Sequence, residues 1–311
     1  MLKEFAELLG TDVKDRRLNI PDKFGTGYCI AYDFNAHIRM MILDYELHED
    51  LIVKNPSVNV SSRTILFKFQ NIFSREKMKA TPSVLIATSS LNPDVLIPLH
   101  TQTATINIEV DAGYLDSLVN DSNRSPVLQS LLQNSQPLLF EQFIFPSLME
   151  IIDEILNEPS NEPFTLFLMR VKAEELICRL LMELEKRESQ QPFPLNNQDI
   201  RVIFKVKDRL LEELDKRPLI KDLSAFAGMS PTKLKRLFRQ IFGDSILSYF
   251  QRFRMEEAAR LLREDKLSVS DVGYQLGFTN LSHFSRMFKD HVGMKPKNYT
   301  YHRNLKTKSE G

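Results

Sequence analysis

Two stretches near the C-terminal end, LKRLFRQIFG (234–243) and FSRMFKDHVG (284–293), carry one pattern written twice: apolar, polar, Arg, apolar, Phe, basic, three variable residues, Gly. The copies lie 50 positions apart, and the register continues to Tyr249 and Tyr299. Within the first copy Leu234, Leu237, Phe238 and Ile241 recur at helical spacing, so one face can bury while Thr232, Lys233, Lys235, Arg236 and Arg239 stay outside. In the second, Phe284, Met287 and Phe288 take the buried positions and Ser282, His283, Ser285, Arg286 and Lys289 the outer ones. Ser230 as cap with Pro231 in the first turn marks one helix start. Thr279 or Asn280 marks the other. Each basic helix follows a shorter apolar one across a tight Gly-containing turn, LIKDLSAFAG in the first case and VSDVGYQLGF (269–278) in the second. Helix, short turn, helix is the helix-turn-helix layout, and this chain predicts it twice.

Between the two units SILSYFQRFRMEEAARLLRED (245–265) reads as one long helix. About 20 helical residues span roughly 30 Å. One turn of B-form DNA is ~34 Å, after which the major groove returns to the same side of the duplex. A spacer of that length gives the repeat a physical use, because two exposed basic helices on its ends can enter successive major grooves.

Charge points the same way. The chain is neutral overall, yet residues 196–311 hold 23 Lys+Arg against 14 Asp+Glu, a net of +9, and the preceding residues hold 18 against 27, a net of −9. A basic piece joined to an acidic one suggests that the basic piece meets a polyanion. Composition puts the boundary at ESQQPFPLNNQD (188–199), polar and interrupted by Pro192 and Pro194. This places a first domain at 1–187, a linker at 188–198, an all-helical domain at 199–303, which opens on an amphipathic helix (199–216), and a tail at 304–311.

The N-terminal half reads differently. From about 27 to 120, YCIAYDF, HIRMMILDYEL, RTILFKF, SVLIATS, DVLIPLH and ATINIEV are short, rich in β-branched and aromatic residues, and separated by turn formers. Such spacing predicts a β-sandwich or barrel, and a barrel of roughly eight strands can enclose one small ligand. Ile30, Ile42, Ile65, Phe67, Leu85 and Ile106 are expected to face its interior, which would suit a largely apolar effector, and no cluster of Arg or Lys marks an anionic one. Two apolar helices are expected next, LFEQFIFPSLMEIIDEILN (139–157) and FTLFLMRVKAEELICRLLMELEKRE (164–188), joined by EPSNEP as an antiparallel hairpin. The unusually apolar run Phe164, Leu166, Phe167, Leu168, Met169, Val171 suits packing on the neighbouring domain, a dimer interface, or both.

Nothing here spells out an enzyme. His37, His48 and His100 form no H-x-H pair, and no G-x-S-x-G, P-loop or G-x-G-x-x-G occurs. Asp44, Glu46 and His48 alternate along one strand, which is usually the wet side of a sheet. No catalytic residue, metal ligand or cofactor is expected. Cys29 and Cys178 have no pairing spacing, and both sit in apolar stretches that read as buried. No apolar run approaches the ~20 residues of a membrane span and no secretory signal is present, so a cytoplasmic location is expected.

Over about 200–302 the sequence resembles the AraC/XylS family of bacterial transcription regulators. The resemblance rests on DLSAFAGMSPTKLKRLFRQIFG, on YFQRFRMEEAARLL and above all on VSDVGYQLGFTNLSHFSRMFKDHVGMKPKNY, with its Gly-Phe turn, F-S-R-x-F-K, then Gly, Pro and Tyr. Gly273 stands where the family usually has Ala and Thr300 where Arg is common, and neither is expected to touch a recognition face. The resemblance implies an α+β chain of two domains: a cupin-like β-barrel with a helical hairpin, then an all-α domain of two helix-turn-helix units on a long linker helix. It implies double-stranded DNA as partner, with base contacts from Thr232, Lys235, Arg236, Leu281, Ser282, His283 and Arg286. Lys233, Arg239 and Lys289 look like phosphate anchors. A small-molecule effector, a homodimer and RNA polymerase are further partners the family brings into view, without naming residues for them. The competing reading is a cupin-like binding protein or enzyme whose helical tail serves protein contacts.

Overall fold

The computed structural model describes residues 2–48, 63–73, 81–89, 91, 103–119, 124–157, 163–187, 191–264 and 267–299. It divides into two units, Met1–Asn197 and Gln198–Gly311. The stretch DVLIPLH with His100, most of EPSNEP, Thr300 and the 304–311 tail lie outside the described residues.

The first unit runs α1 (Leu2–Leu9), β1 (Arg17–Asn19), β2 (Gly25–Asp33), β3 (Ile38–Leu47), β4 (Thr64–Gln70), β5 (Ser83–Thr88), β6 (Thr103–Asp111), α2 (Ala112–Leu118), α3 (Pro126–Gln133), β7 (Leu139–Phe143), α4 (Pro146–Asn157) and α5 (Thr165–Glu185). Among the described residues all strands pair antiparallel in one seven-stranded sheet, order β1-β2-β3-β6-β4-β5-β7. An antiparallel sheet of this kind fits a cupin-like domain. Strand alternation sends Met40, Ile42, Phe67, Phe69, Ile86, Ile106, Ile108 and Phe140 to one face, where they form a single core with residues of α2 to α5. Burying a large side chain such as Phe67 or Phe140 contributes roughly 1.5–3 kcal/mol. At the β1–β2–β3 end, α1 packs Ala6 and Leu9 against Leu18, Ile20, Cys29 and Tyr45 in a separate cluster.

Three expectations need correction. Residues 139–157 are not one helix: Leu139–Phe143 pairs with β5 from Ser83↔Phe143 to Ala87↔Leu139, and the helix starts at Pro146. The free edge of β5 captures this segment, and Phe140 inward with Glu141 on the opposite face is a period of two that chance apolar spacing had disguised. Pro146, lacking an N–H, suits a first helical turn and not a helix interior.

Of the six residues expected to line a barrel interior, Ile42, Ile65, Phe67 and Ile106 are buried in the helix-side core and Ile30 packs against it. Only Leu85 belongs to the opposite face, across from Lys68.

Cys29 is buried, and burial pushes its thiol up to about 12, but Cys178 is exposed. It sits on the outer side of α5, in line with exposed Phe164, Phe167, Leu168, Val171 and Met182. Met169 of the same apolar run is fully buried on the inner side. The run is therefore split between core and surface.

Among its described residues the second unit is all helical: α6 (Asn197–Glu212), α7 (Ile220–Ala227), α8 (Pro231–Phe242), α9 (Ile246–Glu264), α10 (Val269–Gln275) and α11 (Leu281–Val292). The 50-residue repeat is visible in its packing. Phe238 meets Tyr249 edge-on at 5.4 Å and Phe288 meets Tyr299 edge-on at 5.6 Å. That is why the register extends to both tyrosines: each recurring Phe on a basic helix is held by the recurring Tyr that follows it. Among the described residues no helix is long and apolar enough to cross a membrane.

Candidate nucleic-acid interface

The two basic helices are built alike. Each has twelve residues, an oxygen-bearing cap and a glycine stop. The Ser230 side chain accepts from Lys233 N at 3.3 Å, and Pro231 opens α8. The Asn280 side chain accepts from Ser282 N at 2.9 Å and His283 N at 3.1 Å, so Asn280 and not Thr279 is the cap. These bonds satisfy amide donors that a helix start leaves without an intrahelical partner. At the other end Gly243 (φ 77°) and Gly293 (φ 87°) adopt the left-handed conformation that terminates a helix.

Their inner faces are buried as the spacing predicts. Leu234, Leu237, Phe238 and Ile241 are inside in α8, Phe284 and Phe288 in α11, and Met287 is half-buried. The outer faces present Thr232, Lys235, Arg236 and Arg239 from α8, and Ser282, His283, Arg286 and Lys289 from α11, all exposed. Lys233 is half-buried, its ammonium 2.8 Å from the Asp199 carboxylate at the start of α6. The His283 ring lies 5.9 Å from that of Phe278 in the turn before α11.

Leu281 departs from a purely outward role. It is half-buried at the first position of α11, with its Cδ2 2.6 Å from where a Cβ on Gly273 would sit. Gly273 thus touches a recognition helix after all: its missing methyl leaves the space that Leu281 occupies.

One positioning group carries no sequence motif. Arg254, on α9, is buried, donates to the Leu276 carbonyl, and lays its guanidinium 4.0 Å from the Phe278 ring centroid. Burial holds its guanidinium below the usual range, and Asp215 opposes this by attraction. Gly277 (φ 75°) packs so closely on the loop after α6 that a Cβ would fall 2.0 Å from the Asp215 carbonyl oxygen. The turn that launches α11 is therefore clamped between α9 and the Asp215 loop. The available signal was an Arg one helical turn after Phe250 on the buried side of α9, an unusual place for a charge.

Comparison with known proteins agrees with this geometry. Residues 223–301 match a family model described as a helix-turn-helix domain. The chain is 39% identical over 80 residues to the HTH-type transcriptional regulator GlxA of Rhizobium meliloti (strain 1021), covering 25% of each protein. It is 28% identical over 155 residues to the arabinose operon regulatory protein of Escherichia coli (strain K12), covering 50% of this chain and 51% of that one. The matched region thus spans between a quarter and half of these relatives. Among solved structures, the DNA-binding domain of AdpA in complex with a target DNA aligns at 27% identity and TM-score 0.32, over 33% of this chain and 94% of that one. With its doubled capped helices and this family match, the segment 223–301 is a helix-turn-helix domain of the AraC/XylS type.

Proposed function

We propose that this protein is a cytoplasmic, sequence-specific transcription regulator that binds one DNA duplex through two successive major grooves. The observation that carries the reading is the duplication itself: α8 and α11, alike in length and capping, each present a basic face, and one precedes and the other follows α9 along the chain. At 19 residues, α9 is about 28 Å long, close to one turn of duplex.

Arg236 and Arg286, equivalent in the repeat, donate to guanine edges in this reading. Thr232, Lys235, Ser282 and His283 read neighbouring bases, and Leu281 offers its partly covered side chain to a thymine methyl. Arg239 and Lys289 neutralise phosphates. Lys233 joins them by exchanging Asp199 for a phosphate. The N-terminal unit acts as sensor of a small molecule and as dimerisation element, supported by the exposed apolar stripe along α5.

Selection from a random DNA pool tests the reading, with wild type beside an Arg236→Ala, Arg286→Ala double variant. The expected result is a motif of two half-elements about one helical turn apart, lost in the variant while weak salt-sensitive binding persists. Enrichment of nothing by full-length protein and by residues 195–311 alike would sink it.

A further inference from the structure

A cavity of about 120 Å³ lies between α2, α5 and the paired ends of β3 and β6. Ile38, Val110, Leu115, Ile177 and Leu181 line it, all five of them buried. Packed interiors hold few voids larger than a water molecule, so a space of this size among branched apolar side chains stands out. Leu118 of α2 and Cys178 of α5 also line it, and both are exposed, so the cavity opens to solvent on that side.

One polar group in the lining is left for an occupant. The Tyr114 ring stacks on that of His37, with centroids 5.1 Å apart. Its hydroxyl donates to Glu174 Oε1 at 3.1 Å and accepts from Arg170 Nη2 at 3.2 Å. Arg170 Nε donates to the same Oε1 at 3.0 Å. Both donors converge on one carboxylate oxygen, and among the described residues Glu174 Oε2 receives no hydrogen bond. Glu174 belongs to the lining, and an ionised carboxylate only accepts. An occupant therefore brings one donor. It carries no charge, because Glu174 repels an anion and Arg170 beside it repels a cation. An apolar cavity of about 150 Å³ takes up benzene, so this one holds a single ring, with its substituents toward the opening.

We propose that this cavity binds a small neutral phenol, its ring among Ile38, Val110 and Leu181 and its hydroxyl donating to Glu174. The proposal rests on the reading of the N-terminal unit as a sensor and names the class of molecule sensed. It puts the apolar effector on the helix side of the sheet and not inside a barrel.

Cys178, exposed in the cavity lining, serves as the reporter of occupancy in the full chain. Its alkylation by iodoacetamide is followed by mass spectrometry, and Tm is measured beside it, with phenol, toluene or benzoate at millimolar concentration. Toluene keeps the size of phenol without the donor, and benzoate adds a negative charge. Phenol should slow the alkylation and raise Tm as its concentration grows. It should bind roughly tenfold more tightly than toluene, the weight of one hydrogen bond to a charged group, and benzoate should do neither. Glu174→Met should bring phenol down to the level of toluene. Cys178→Phe, at an exposed position that accepts a larger side chain, should block the cavity and abolish the Tm shift, and it keeps the test decisive should Glu174→Met fail to fold. The proposal is overturned if phenol neither protects Cys178 nor moves Tm, if toluene or benzoate matches phenol, or if Cys178→Phe keeps the shift. It is overturned as well if Cys178 resists alkylation without phenol in a protein that sediments as a dimer, which would put a second copy over the cavity. Binding of the selected DNA by the same preparation, read by fluorescence anisotropy, separates the two readings. DNA binding without protection by phenol removes the cavity site alone, and protection without DNA binding removes the regulator reading alone.

Discussion

Gly273 and Leu281 fit each other: the Leu281 side chain fills the space where a Cβ on Gly273 would stand, with its Cδ2 at 2.6 Å from that position. This glycine of α10 thereby sets how far the first residue of α11 reaches toward a duplex. Gly273→Ala should turn Leu281 outward, since the obstructing atom is the tip of a flexible side chain. Alanine is favoured over glycine in a helix by about 1 kcal/mol, which offsets the crowding, so thermal stability should change little. The selected DNA motif should change in one half-element only. An unchanged motif together with a large loss of stability would contradict this account.

The clamp at the second turn predicts a different signature. Arg254→Met leaves the Leu276 carbonyl without its buried donor, which costs about 1–3 kcal/mol. Gly277→Ala forces a left-handed φ on a side chain whose Cβ meets the Asp215 backbone at 2.0 Å, a graver fault because backbone cannot rotate away. In both variants footprinting should show the α11 half-element lost before the α8 half-element. Equal weakening of both would mean that the clamp only stabilises the domain.

Base and phosphate contacts separate by their salt response. Arg236→Ala or Arg286→Ala should each cost about 1–3 kcal/mol of discrimination at one base pair. Lys289→Ala should weaken all sequences alike and reduce the slope of log K against log salt by about 0.9. Titrations of cognate and scrambled duplexes over a range of salt concentrations read both effects.

Lys68 gives the N-terminal unit a pH dependence of known sign. Its folded value of about 8 lies below the ordinary 10.5, so between these values the unfolded chain binds the proton more readily. Stability from this group therefore rises with pH across that window, and below about pH 8 the full cost of about 3 kcal/mol is present. The difference between wild type and Lys68→Met in denaturant titrations should shrink steadily from pH 8 upward. A constant difference would show that Lys68 keeps an ordinary pKa.

The two thiols should differ in reactivity. Cys178 is exposed, whereas Cys29 is buried with its thiol raised to about 12. Under native conditions an alkylating reagent should label Cys178 and spare Cys29 until the chain unfolds, which peptide mass mapping can read. Labelling of Cys29 at a comparable rate would show that α1 does not cover it in solution.

The C-terminal unit was largely legible in the sequence because its signals are local. Ser230, Asn280, Gly243 and Gly293 act on amides and carbonyls within one turn, and the apolar spacing of Leu234, Leu237, Phe238 and Ile241 reports a single helix face. The sheet was less legible because strand pairing joins residues distant along the chain. Whether Leu139–Phe143 became helix or strand depended on the free edge of β5, more than fifty residues earlier. Which of Phe67 and Lys68 faced the helices depended on one step of strand register, and that step separates the apolar core from the polar row of Lys68, Asn107 and Thr105. The same holds at close range. A glycine in α10 and a leucine in α11 become one feature only when the two helices pack, because shape complementarity belongs to the pair of surfaces and to neither segment alone.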